Sequence, residues 1–509
     1  MHAMAEPTTR YRQPTVFTVP PGTGFLPAVA EALLDGRLVD GFGWDGDPMT
    51  LARATIYVPT RRAARELRSV FMDALGASSI LLPRIRPLGE FDEDAAFLSV
   101  GDGAMLSIPP AIDALERQLA LGVLTARWTD AMNDSLRQAL YDGEAVTTPV
   151  SVADAFWMAS DLAALIDQLQ TEGIGFAQIE AAAGADVSQW WHVTLAFLQV
   201  VKRSWPEYLA EQGMIDPAEH RNRMLRAEAA RLSAAPPDGP VIVAGSTGTI
   251  PATAELIATI ARLPQGAVVL PGYDTAMDDA TRERLEAPGD ATPVIGHPQF
   301  GMHKLTRTIG IVPSSIATLG TPPEASRIAR GQWVSAALAP AERTAQWASI
   351  RKSLSGAAFD DVAVLHAANE DGEALAIACA LREAILDPKV TAALVTPDRQ
   401  LARRVAAELG RFGIAANDSG GTPFALTPHG TLLALALSLA AGEADPAELL
   451  ALLKHPLARF GADAAEHDAC VADLEMLVLR GGSGRIRLAA FAEFVETVLA
   501  QWNAQRRHE

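Results

Sequence analysis

Two rhythms of apolar and polar positions run along this chain: short β-branched runs that end at glycine or proline, and longer stretches with apolar residues three and four apart. The first marks buried strands and the second amphipathic helices, and their alternation predicts an α/β protein with parallel sheets. Val16-Phe17-Thr18-Val19 reads as a strand, Pro20-Pro21-Gly22-Thr23-Gly24-Phe25 as a tight turn, and residues 26–34 as a helix. Thr55-Ile56-Tyr57-Val58 is a second strand. Pro59-Thr60 then opens a helix that places Ala63, Leu67, Val70 and Phe71 on one face, with Thr60 as its N-cap. From Ser107 to about Ala234 helical periodicity dominates, as at 153–170 and 195–212, which predicts a helical insertion.

The proline-rich stretch 234–240 ends that insertion. Val241-Ile242-Val243-Ala244 resumes the sheet, Gly245-Ser246-Thr247-Gly248 forms its turn, and Ala267-Val268-Val269-Leu270 is a further strand. Residues 273–340 read as rich in loops. Strand-helix alternation then returns with Val362-Ala363-Val364-Leu365, a helix through Leu386 that aligns Ala374, Ile377, Ala378, Leu381 and Ile385, and the strand Ala392-Ala393-Leu394-Val395. The next helix opens at Thr396-Pro397-Asp398, with threonine as cap and proline in the first helical position, and buries Leu401, Val405 and Leu409. From 430 onward the chain reads as helical. Its apolar run 431–441 is shorter than the about 20 residues a membrane span takes, and reads as a buried helix. The expected organisation is the first part of an α/β domain at 1–106, the insertion at 107–234, the rest of that domain with a loop-rich connection at 235–340, a second α/β domain at 341–429 and a helical segment at 430–509.

Composition narrows the function. The chain has 509 residues, 49% of them apolar and 20% charged, the balance of a globular protein with a large core. A net charge of -19 rules out a general basic coat for DNA, so any nucleic-acid contact must come from local arginine patches or a partner. Cys379 and Cys470 are the only cysteines, too few for a four-cysteine iron–sulfur cluster or zinc site and in keeping with a reducing cytoplasm. Residues 1–14 carry Glu6 and Arg10 without the apolar core of a secretory signal, so the chain is expected in the cytoplasm and off the membrane.

The turn at Gly22, Thr23 and Gly24 stands where a phosphate loop stands, after a strand and before a helix, and these three residues are the candidate nucleotide contacts. A working loop, G-x-x-x-x-G-K-[ST], needs a lysine for the β/γ oxygens and a hydroxyl for magnesium, yet no lysine falls between Pro20 and Arg37. A plain βα turn explains the same glycines. Arg61, Arg65 and Arg68 recur at i, i+4 and i+7 opposite the apolar stripe, and Thr60 heads their helix, which makes all four candidates for DNA phosphate. Arg84 with Arg86, and Arg399 with Arg403 and Arg404, form two further basic spots; a solvated helix face is the alternative for each. Trp157, Trp190, Trp191 and Trp205 could stack on bases, but core packing is the simpler reading. His297 and His303 flank Phe300, with Lys304 next, and read as loop or DNA-facing residues before metal ligands. Asp473 and Glu475 read as a solvated helix face rather than catalytic acids.

Segments that thread most of the chain in order resemble AddB, the subunit that joins AddA in bacterial double-strand-break repair helicase–nucleases. They are residues 16–34, 54–67 and 81–89, His297-Pro298-Gln299-Phe300-Gly301, Glu370-Asp371-Gly372-Glu373-Ala374, residues 393–399 and Leu452-Leu453-Lys454-His455-Pro456. The resemblance implies two RecA-like, P-loop helicase-type domains with large helical insertions. It implies a non-motor subunit that binds and guides single-stranded DNA in recombinational repair, with both single- and double-stranded DNA as partners and an AddA-like subunit using ATP and magnesium. Basic patches on the two lobes would then face each other across a channel. A helicase carries an acidic pair after the strand that here runs into Gly245-Ser246-Thr247, so both halves of the phosphoryl-transfer machinery are missing. Members of the family continue into a RecB-type nuclease domain clasped by an iron–sulfur cluster. Neither its cysteines nor a recognisable nuclease block follows Arg480, so the resemblance covers the helicase-like half, the chain is expected to stop before any nuclease domain, and it is expected to hold no cofactor of its own. The rival expectation is a stand-alone α/β enzyme that binds a nucleotide or other phosphorylated small molecule at the Gly22 to Gly24 turn.

Overall fold

The computed structural model describes residues 13–76, 80–88, 107–131, 151–176, 178, 189–286, 294–388, 390–481 and 486–506. It divides into two units, Met1–Val362 and Ala363–Glu509. Residues 341–362, expected in the second α/β domain, thus belong to the first unit.

The first unit is built on one all-parallel sheet. Its strands are β1 (Val16–Val19), β2 (Thr55–Val58), β3 (Arg84–Pro87), β4 (Val241–Ala244), β5 (Gly266–Pro271) and β6 (Ala317–Thr318), in the order β3-β2-β4-β5-β1-β6. Composition explains the order. The continuously apolar runs of β4 and β5 are buried on both faces and take central places, as strands covered by helices on both sides must. Edge strand β3 carries Arg84 and Arg86 on its outer positions and ends in Pro87, which has no N–H to offer a further strand. It was not foreseen as a strand because its polar alternation resembles a loop.

Helices α1 (Phe25–Leu34), α2 (Pro48–Ala52) and α3 (Arg61–Leu75) follow β1 and β2. α1 and α3 cover one face of the sheet, where Val29, Leu33, Leu67 and Phe71 pack on Ile56, Val58, Ile242 and Val269. The stretch expected as a helical insertion holds four helices among its described residues, α4 (Ala114–Ala131), α5 (Val152–Glu172), α6 (Gln189–Gln212) and α7 (Pro217–Ala234). Only α4 to α6 share a separate core, around Leu121, Leu162, Ile166, Val201 and Trp205. Buried Arg117 of α4 lies 2.9 Å from Asp216 and 2.9 Å from Asp167, while the other Asp216 oxygen accepts from Trp205 Nε1 at 3.0 Å and Gln170 Nε2 at 2.8 Å. Trp205 is therefore a core residue, as expected, whereas Trp157 is 75% exposed and corrects the same expectation. The Trp190 and Trp191 side chains lie outside the described residues.

α7 belongs to the sheet instead. Its Leu225, Ala229 and Leu232 cover the second face with α8 (Pro251–Ala261), over Tyr57, Val243, Val268 and Leu270. The Tyr57 hydroxyl donates to Glu228 at 2.5 Å and Arg231 donates twice to the same carboxylate, at 2.7 and 2.8 Å. Burial works against the Glu228 charge, but the bonds from Arg231 and Tyr57 hold its carboxyl below the usual range; burial and that carboxylate push the Tyr57 phenol up.

The loop-rich expectation for 273–340 is overturned. The stretch holds α9 (Asp279–Glu286), α10 (Phe300–Ile309), β6 and α11 (Ala325–Ala337), followed by α12 (Trp347–Ser353). In α10, Met302, Leu305 and Ile309 bury a helical stripe that threonines and histidines between them disguise in the sequence.

The second unit contains α13 (Glu370–Ala384), α14 (Arg399–Arg411), α15 (Pro428–Ala441), α16 (Pro446–Leu453), α17 (Ala464–Leu477) and α18 (Phe491–Arg506), with the two-residue strands β7 (Glu443–Ala444) and β8 (Ile486–Arg487) paired antiparallel. α13 and α14 pack through Ala374, Ala378, Val405 and Leu409. The expected strands at 362–365 and 392–395 are not strands here: Val364 is 79% and Val395 93% exposed, and among the described residues of this unit only β7 and β8 pair. A β-branched run becomes a strand only beside a ladder and a face to cover. Nor is 431–441 a buried helix, since only Gly430 and Leu439 of α15 are buried. α14 starts two residues later than expected, because Asp398 caps it by accepting from the Gln400 and Leu401 amides, while Thr396 accepts from Asp398.

Candidate functional site

All strands of a parallel sheet end at one edge, where open α/β folds place their ligands. β1 ends there in Pro20, Pro21 and Gly22. Gly22 takes a φ of +89°, a Thr23 amide bond to Pro20 oxygen (3.2 Å) closes the turn, and the Thr23 hydroxyl donates to Thr321 oxygen at 3.1 Å. Gly24 is the N-cap of α1 and has no side chain to cap it. The two positions after Gly24, where a phosphate loop has lysine and a hydroxyl, are Phe25 and Leu26. Phe25 turns its ring onto the end of β4. A Cβ at Gly245 would lie 3.1 Å from that ring and 3.6 Å from Pro59, so three strand ends meet in one apolar contact.

The neighbouring turn, after β5, is fixed by a residue that sequence reasoning passed over. Thr18 is buried inside β1, donates to Leu270 oxygen at 3.3 Å and accepts from the Tyr273 amide at 3.0 Å. Gln299 accepts from the Asp274 amide (3.1 Å) and donates to Gly272 oxygen (3.0 Å), while Ser335 of α11 donates to the Asp274 carboxylate at 2.5 Å. These groups border a cavity of about 670 Å³ between the two turns, residues 297–299 and α11. Arg327, also from α11, reaches across to donate to Gly22 oxygen at 2.8 Å. It also borders a second hollow of about 320 Å³ that contains Thr23, Gly24 and Glu31. No local pattern signals Arg327, which is 305 positions from Gly22. Asp274 had a usable signal, a Gly-Tyr-Asp turn directly after a strand.

His303 is not a loop residue facing DNA. It sits in α10 at 1% exposure, with Nδ1 3.3 Å from the Tyr273 hydroxyl and the two rings 5.0 Å apart. Burial, then the positive charge of Arg282, pushes it down to about 4. His297 is lowered as well, chiefly by burial. Lys304 is exposed on the outer side of the same helix.

Of the arginine candidates, Arg61, Arg65 and Arg68 stand exposed on α3. Thr60 caps that helix by accepting from the Ala63 amide at 3.1 Å, and Arg68 reaches Ile85 oxygen of the edge strand at 3.4 Å. Arg84 and Arg86 pair in register with Thr55 and Tyr57, whose side chains point to the α7 face. They therefore lie across the sheet from α3, and the half-buried Arg86 contributes to the field that keeps Glu228 ionised. In the second unit Arg399 is chelated by both Asp418 oxygens, at 3.0 and 2.5 Å, which raises its already high pKa. Arg403 is exposed, and Arg404 is paired with Glu370. Asp473 is exposed as expected of a solvated face, but Glu475 is half-buried and pairs with Lys454 and Arg480.

No family model and no curated protein matches the chain. Among the described residues no helix is long and apolar enough to cross a membrane, and no group of three or more histidine, cysteine, aspartate or glutamate side chains could hold a metal.

Proposed function

We propose that this chain is a non-motor, helicase-like DNA-binding subunit of the AddB kind, serving recombinational double-strand-break repair. In this reading the first unit is a RecA-like domain and an AddA-like partner hydrolyses ATP with magnesium. One contact carries the reading: Phe25 on Gly245 and Pro59 fills with apolar surface the place where a motor brings lysine and acids together. The sheet edge keeps its docking geometry without the reagents of hydrolysis. At the same edge, the first turn of α3 presents Arg61 beside the capped N-terminus at Thr60, and Arg65 and Arg68 continue along its exposed side. Such a row neutralises successive phosphates and holds one strand without reading its bases. Arg84 and Arg86 add cations on the opposite face of the edge strand, and Arg403 is an exposed cation of the second unit. Arg399, engaged with Asp418, serves chiefly to hold its own loop.

The test is anisotropy of labelled single-stranded DNA across a salt series, for the wild type and for the triple variant Arg61→Ala/Arg65→Ala/Arg68→Ala. Weaker binding by the variant, with a salt slope shallower by about 2, and indifference to added ATP are expected. Equal binding by the two proteins, or binding that requires ATP, would sink the proposal.

A further inference from the structure

DNA held along α3 leaves the 670 Å³ cavity between the β1 and β5 turns without a role. Its volume lies within the roughly 300 to 1,000 Å³ of small-molecule sites, and it opens outside the carboxyl ends of two adjacent parallel strands. Its lining has two chemistries. One is cationic: Arg327, whose guanidinium carries five donors, gives one to Gly22 oxygen and keeps others for an anion. From the same helix and its C-cap, Ile328, Val334 and Leu338 border the cavity with exposed apolar side chains. Asp274 also borders the cavity, its carboxylate fixed by Ser335 and the Ala276 amide, an acceptor for a ligand N–H or O–H. Gly22 makes room for this arrangement, since a Cβ there would come within 3.0 Å of Arg327 Cδ.

An anionic group, a flat apolar body and a hydrogen-bond donor together describe a mononucleotide. We propose that the cavity binds a free mononucleotide without hydrolysing it, its phosphate on Arg327 and its base against Ile328, Val334 and Leu338. The site differs from a phosphate loop in drawing its cation from α11 rather than from the residue after Gly24. The proposal is independent of the DNA reading. A nucleotide within a DNA strand shares the same chemistry, so the experiment must separate the two sources.

The probe is methylanthraniloyl-ADP, titrated into the full chain without DNA, with and without magnesium, then chased with ADP or with an oligothymidylate. Saturable fluorescence, displaced by ADP but not by the oligonucleotide and unaffected by magnesium, is expected. Arg327→Ala should weaken it about tenfold or more, the loss of a charge-assisted bond, with part of the affinity restored in Arg327→Lys. Arg327 is exposed, so unchanged circular dichroism and melting will show that folding is intact. The triple α3 variant should bind the nucleotide as the wild type does, even where its DNA binding is weakened. Absence of saturable binding, displacement by the oligonucleotide alone, or full affinity in Arg327→Ala each overturns the proposal.

Discussion

Gly245 carries two burdens at once: a φ of +84° and a Phe25 ring where a side chain would begin. Gly245→Val should therefore lower stability by roughly 2 to 4 kcal/mol, combining left-handed strain in a β-branched residue with overpacking. Gly76→Ala is the control, since Gly76 has φ +60° but open space around it, and should cost only about 1 kcal/mol. Equal urea midpoints for the two variants would refute the packing account. Asp216 is a second such residue. Removing its carboxylate in Asp216→Ala leaves Arg117 without its buried counter-charge and with only Asp167, whose side chain is 42% exposed, and a loss of about 3 to 5 kcal/mol is expected in the same assay. A change under about 1 kcal/mol would mean that Asp167 alone satisfies the guanidinium. Neither dependence could be read from the sequence. The phenylalanine and glycine are visible there as a missing lysine and missing acids, but their contact, like that of Arg327 with Gly22, exists only once distant strand ends meet.

Elements were legible where the local pattern and the tertiary surroundings agree. β1, β2 and β4 are apolar runs closed by glycine or proline, and α3 shows its cap and its stripe together, so each fell where the pattern put it. The pattern at 362–365 is just as strand-like, and what it lacks is a neighbour, which no local rhythm records. α10 was hidden for the opposite reason, because His303 and Thr306 occupy buried positions that a hydrophobic stripe would normally fill. Burying a histidine has a price in acid. With its pKa depressed from 6.5 to about 4, among Tyr273, His297, Arg282 and Asp274, His303 contributes stability that is complete above about 6.5. That contribution is lost progressively as the pH falls through this window, because the unfolded chain takes up the proton first. Melting temperatures should fall across it, and less steeply in His303→Gln; parallel curves would show that other groups set the acid limb.

On the scale of the whole molecule, the two units differ in how much they bury. The first has two continuous clusters, one on each face of a six-stranded sheet, whereas the second relies on small clusters around Leu439 and Leu449 and around Ala378 and Val405. Urea should therefore unfold the chain in two steps, the second unit first, and residues 13–362 expressed alone should keep a cooperative transition. A single coincident transition by tryptophan fluorescence and circular dichroism would contradict this. α11 adds a mechanical consequence. One turn of it grips the glycine loop through Arg327, and the next turns grip the carbonyls of Ala358, Asp360 and Ser355 through Arg330 and Trp333, just before the chain leaves the first unit. A pull on the chain beyond Val362 would load these bonds, so that tension arriving from outside reaches the rim of the sheet through less than two turns of stiff helix, about 9 Å from Trp333 to Arg327.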